Sequence, residues 1–122
     1  MIFMEKHKKL RILAGILLIA SAITHVTQLF FVGFEWHDIG AAIIGSIYGI
    51  LGVLIILYRE NKVLTIICII YPIFGGTLGL YRLIYIEIAI YGVINWFILW
   101  HVAADVVVVL ICIYSYLELR KK

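Results

Sequence analysis

Asp105 stands in the middle of the run Ala103-Ala104-Asp105-Val106-Val107, where apolar residues surround it on both sides. An ionised carboxylate in the middle of a bilayer costs roughly 2.5–3.5 kcal/mol on insertion scales. Such a residue must face a protein interior, hold a partner, or carry a proton. His101 lies four residues earlier, on the same face of a helix. A His–Asp pair at that spacing can share a proton, bind a cation, or act as a ligand histidine backed by a carboxylate. A polar clasp between helices explains the same pair without chemistry.

His25 and His101 are the two histidines that fall well inside apolar runs. Facing imidazoles at equal depth can hold a b-type haem. With Asp105 as third ligand, the same histidines begin a metal site. Hydrogen-bonded packing is the competing account. Gln28, Asp38 and Arg82 complete the polar set. Arg82 is expected to pair with Asp38, Glu35 or Glu87, or to receive an anionic substrate. The patch Glu35-Trp36-His37-Asp38 can capture a cation; more simply, Trp36 anchors an interface and Asp38 caps a helix. Trp96 and Trp100, with Tyr81, Tyr85 and Tyr91, read as an aromatic belt or as a wall for a flat ligand such as a quinone.

Cys68 and Cys112 also sit in apolar runs. They read as small core residues, since they have neither zinc nor redox-motif spacing. No phosphate-cradling glycine loop, hydrolase triad or Cys-x-x-Cys is present, so the chain reads as leaning away from an enzyme. The net charge of +3 arises at the ends of apolar runs rather than along a basic stripe, which argues against nucleic acid.

The elements that must position these residues follow from hydropathy. Apolar residues make up 66% of the 122 and charged residues 14%, and mean hydropathy is +1.17. Soluble domains carry about 45–50% apolar and about 25% charged residues. A chain this short cannot hide such a surplus from water, so lipid is the expected solvent. Four apolar segments, residues 10–34, 39–58, 63–81 and 88–117, are each long enough to cross a bilayer. The last is longer than one crossing, and residues 88–95 are expected to tilt or lie along the interface. The polar breaks at 35–38, 59–62 and 82–87 are short, which makes neighbours antiparallel. The fold expected is all-α, an integral membrane four-helix bundle with up-down-up-down order, forming one unit over 1–122.

Lys6, Lys8, Lys9, Arg11, Arg59, Lys62, Arg120, Lys121 and Lys122 gather at one end, nine of the ten basic residues. The positive-inside rule makes that end, and both termini, cytoplasmic. The plasma membrane of a prokaryote is the expected location. A cleavable signal peptide ending near Ala20-Ser21-Ala22 is a competing reading, disfavoured because the apolar run continues to Phe34. An offset of 54 residues lays 10–60 on 64–114 and hints at a duplicated hairpin.

A stripe of small and polar residues recurs at near-heptad spacing in each segment: Ala14, Leu18, Ser21, His25 and Gln28; Ala41, Gly45, Gly49 and Gly52; Cys68, Pro72, Gly75, Gly79 and Arg82; His101, Asp105, Val108, Cys112 and Ser115. These stripes are where helices should meet. The polar members gather toward the outer half, and the inner half is expected to be almost wholly apolar. Three functions fit: a non-catalytic accessory or binding subunit of a homo-oligomer or larger membrane complex; a haem- or quinone-binding electron-transfer module using His25 and His101; or a small proton- or cation-coupled transporter using His101 and Asp105.

Overall fold

The structure, a computed structural model, describes residues 6–31 and 33–121. Lys122, counted above with the basic end, and Val32, within the first apolar segment, lie outside the described residues.

Four helices account for the described chain: α1 (Lys6–Thr27), α2 (Trp36–Leu57), α3 (Lys62–Tyr81) and α4 (Trp96–Arg120). A 3₁₀ turn, Gln28–Phe30, continues α1, and a π-helical segment, Arg82–Ile88, continues α3. All four helices are long and apolar enough to cross a membrane. Only 28–39% of each most apolar window is buried inside the bundle, so most of that apolar surface needs an apolar surrounding.

The helix ends have local causes. Asn61 caps α3 by accepting from Leu64 N at 2.9 Å, and Asn95 caps α4 by accepting from Phe97 N at 3.0 Å. Gly33 and Gly92 hold φ of 132° and 67° in the connections before α2 and α4, backbone that side chains with a Cβ rarely adopt. The first and third spans shift relative to the sequence reading. The first runs Lys6–Phe30 and the third Lys62–Ile88. Residues 82–88 are therefore helix, not loop, and the fourth span begins at Trp96 instead of 88.

Cross-bundle contacts fix the order. Gly15 meets Gly52 and Gly45 meets His25, so α1 and α2 are antiparallel. Gly76 meets Asp105 and Gly79 meets Ile98, so α3 and α4 are antiparallel as well. Thr24 bonds His101, and Arg11 bonds Ser115, which seals α1 to α4. Going round the bundle, α2, α1, α4 and α3 are closely packed in that order. The circuit closes only loosely, because α2 and α3 touch sparsely.

The apolar core is centred on Ala14, Leu18, Tyr48, Ile55, Cys68, Val108 and Cys112, close to the small-residue stripes. The expected apolar inner half is corrected by Arg11. Its side chain is fully buried instead of flanking the span. The guanidinium donates to Thr65 Oγ1, to Ser115 Oγ at 3.2 Å and to the Tyr58 carbonyl at 2.7 Å. A guanidinium can take this position because its forked N–H groups reach acceptors on three elements at once.

Candidate functional site

The end of the bundle away from Lys6 and Arg120 holds a buried charged cluster. Asp38 lies in the first turn of α2, where an acidic residue favours the helix dipole. It does not cap the helix, as the sequence had suggested: Glu35 occupies that position, and Asp38 is 1% exposed. Its Oδ1 instead pairs with Arg82 Nη2. Arg82 Nη2 also lies 3.6 Å from Glu87 Oε1, and Nη1 reaches Gln28 Oε1 at 3.5 Å.

The π-helical turn explains how Glu87 joins. Its backbone bonds run to the fifth residue, as in Ala89 N to Ile84 O at 3.1 Å, which widens the turn. Arg82 and Glu87, five apart, then share a buried face with Leu83 and Ile86. Such widened turns are rare and recur at functional sites.

Arg82 Nε donates to His37 Nδ1 at 3.2 Å. A guanidinium nitrogen can only donate, so His37 Nδ1 is the acceptor and the ring proton sits on Nε2. The 3.4 Å approach of Nδ1 to Asp38 Oδ1 is therefore not an ion pair. His37 Nε2–H is buried and has no hydrogen-bond partner; Gln28 Nε2, Asp38 Oδ2 and Glu87 Oε1 share that condition. Buried N–H groups left unpaired are costly, and each invites a partner.

A cleft opens beside this cluster, in the gap where α2 and α3 separate. Its volume is about 240 Å³. Gly40, Ala41 and Ile44 of α2 form one wall, with Gly75, Leu78 and Gly79 of α3 opposite. His37, Arg82 and His101 supply its polar lining, and Trp36, 75% exposed, stands at its rim.

His25 and His101 do meet across α1 and α4. Their rings stack, with centroids 3.5 Å apart and planes 10° from parallel. Gly45 makes the room: a Cβ there would collide with the His25 ring. His25 Nδ1 donates to Ser21 O at 2.7 Å. His101 Nε2 shares a 2.7 Å hydrogen bond with Thr24 Oγ1, which also receives Trp100 Nε1–H at 2.9 Å. A haem held by two histidines needs its ring plane between opposed nitrogens. Parallel rings in contact leave no space for one, so this arrangement does not fit a haem between His25 and His101.

Asp105 does not complete a triad with them. Its carboxyl faces the Tyr48 hydroxyl across the bundle. Gly76 leaves space for it on α3, where a Cβ would stand 3.3 Å from Oδ2. The described residues that do bring three metal-type donors together are His37, Asp38 and Glu87, whose ligand atoms lie within 4.8 Å of one another. Arg82 already provides the positive charge between those carboxylates, so the cluster as built is an ion-pair network and does not fit a metal ion.

Of the sequence candidates, Gln28, Asp38 and Arg82 converge in this cluster, and His101 reaches the same cleft from the side. The sequence presents His37 within a cation-capturing patch and Glu87 as a partner for Arg82, and the structure draws both into the buried cluster. Arg11 continues the buried spacing of His7, Ala14, Leu18, Ser21 and His25, a signal that could have placed it inside.

Compared with known proteins, the chain matches no family model, no curated protein and no solved structure.

Proposed function

We propose that this chain is a small four-span membrane protein that binds a lipid-soluble, carbonyl-bearing ligand of the quinone class in the cleft between α2 and α3. It acts as a binding or accessory subunit of a membrane complex, not as an enzyme. The observation that carries this reading is the unpartnered His37 Nε2–H beside a cleft with apolar, glycine-lined walls. A carbonyl oxygen is the acceptor such a donor lacks. Gly40, whose Cβ position is open space, leaves room for a ring on the α2 wall, and the loose α2–α3 seam lets an apolar tail leave toward lipid. The gathering of Lys6, Lys8, Lys9, Arg59, Lys62, Arg120 and Lys121 at the far end supports a cytoplasmic position for both termini, in a prokaryotic plasma membrane.

The test is a titration of the protein in lipid nanodiscs with a benzoquinone carrying an alkyl tail. The reading is Trp36 fluorescence, taken as the difference from Trp36→Phe. Saturable quenching is expected in the wild type and is lost in Gly40→Leu. A Cβ at Gly40 meets nothing within 4 Å, so the larger side chain fills the cleft without displacing the helices. Unsaturable quenching that is equal in both proteins would refute the reading.

A further inference from the structure

A second groove lies on another face of the bundle, between α3 and α4, with a volume of about 270 Å³. Pro72, Gly76, Thr77, Val102 and Val106 line it, and Asp105 belongs to its lining while being only 4% exposed. Asp105 is thus reached from the surface that the four-span reading gives to lipid, not from the α2–α3 cleft, whose lining does not include it.

The charge on this carboxyl has no counterpart. None of the ion pairs among the described residues includes Asp105. The titratable groups around it are Tyr48 on α2, which faces it, and Tyr71 on α3, whose ring packs on Tyr48 with centroids 5.2 Å apart. His25 on α1 packs on Tyr48 at 5.7 Å, and His101 stands one turn away on α4. The His25 Nδ1–H is spent on Ser21 O, His101 Nε2 on Thr24, and the Tyr71 hydroxyl on Ile44 O. Asp105 Oδ1 and the Tyr48 hydroxyl are both buried and face each other, and neither has a partner beyond that contact. A bare carboxylate here would be an uncompensated charge in an apolar setting. A proton removes the charge and supplies a donor.

We propose that Asp105 is a proton-carrying site, a carboxylic acid in the resting bundle that is reached from lipid through the α3–α4 groove. It holds a proton on a face separate from the ligand cleft. It does not depend on the quinone reading, because Gly40→Leu closes the cleft without touching this groove.

A hydrophobic carbodiimide tests it in nanodiscs. The acid O–H adds across one C=N bond: the proton goes to nitrogen and the carboxyl oxygen bonds to the central carbon. Acyl migration to nitrogen then leaves a stable acylurea, with no other reactant consumed. Peptide mass spectrometry is expected to find this adduct on Asp105 with dicyclohexylcarbodiimide. A water-soluble carbodiimide should react with Glu60, whose side chain is 60% exposed, and leave Asp105 unmodified. The Asp105 adduct is lost in Val106→Trp, which covers the groove from an exposed position. In parallel, the infrared band of a protonated carboxyl is expected in the wild type and absent in Asp105→Asn. The proposal falls if dicyclohexylcarbodiimide leaves Asp105 unmodified, if both reagents modify it equally, if Val106→Trp changes nothing, or if no protonated-carboxyl band depends on Asp105.

Discussion

Arg82 Nε donates to His37 Nδ1 across 3.2 Å, and that one bond decides which nitrogen of His37 carries the proton. The proton then sits on Nε2, a buried donor without a partner on a residue that lines the cleft. The orientation is preset, so a ligand carbonyl does not have to order it on binding.

His37→Ala should weaken binding of a tailed quinone by about 1 kcal/mol, roughly fivefold in Kd, the net worth of one neutral hydrogen bond. Titration in nanodiscs measures this. Because losing His37 removes a hydrogen bond but leaves the Arg82–Asp38 ion pair in place, thermal stability should change less than in the substitutions considered next.

Arg82→Met should destabilise the fold by about 3–5 kcal/mol, because Asp38 and Glu87 would remain buried without their cation. The triple substitution Arg82→Met, Asp38→Asn and Glu87→Gln should recover much of that loss, since no unpaired charge remains. Thermal unfolding in detergent, followed by helical circular dichroism, distinguishes a charge effect from a packing effect.

The parts of this architecture that the sequence disclosed are those set by long apolar runs. Four spans followed from their length, and the Arg82–Asp38 pair from two charges at one end of the bundle. The meeting of His25 with His101 followed from depth alone, but their stacking did not. Ring orientation depends on Gly45, Ser21 and Thr24, which sequence spacing does not orient. Residues 82–87 looked like a loop because they mix charged and apolar types. The π-helical turn gives that mixture an inside and an outside, burying Arg82, Leu83, Ile86 and Glu87. Arg11 reads as a flanking charge because Lys6, Lys8 and Lys9 stand beside it in the sequence. Its acceptors, Thr65, Ser115 and the Tyr58 carbonyl, come from distant parts of the chain.

Arg11→Lys should cost about 2 kcal/mol despite keeping the charge. Hydrogen bonds to a charged group contribute about 1.5–3 kcal/mol each, and an ammonium cannot reproduce the fork that reaches α3, α4 and the Tyr58 carbonyl. The check is again the unfolding midpoint, with Lys8→Arg, an exchange near the same end, expected to stay close to wild type.

Gly52→Ala should destabilise by about 1–3 kcal/mol through overpacking, since an added Cβ would stand 2.6 Å from the Gly15 carbonyl oxygen. That contact is between backbones, so no side chain can swing aside. Gly40→Ala, whose added methyl meets nothing within 4 Å, should be close to neutral for stability. Unfolding midpoints of the two variants, measured side by side, separate close helix approach from a general intolerance of alanine.

The central claim is that a quinone-class ligand occupies the cleft between α2 and α3. Its most direct test is photolabelling in nanodiscs with an azido-quinone, followed by mapping of the labelled peptides. Labelling is expected only at the cleft walls, residues 36–44 of α2 and residues 75–82 at the end of α3 and the start of the π-helical turn, displaced by excess unlabelled quinone and lost in Gly40→Leu. Labels spread over outward residues such as Ile50, Ile70 and Leu110, with no competition by unlabelled quinone, would contradict it.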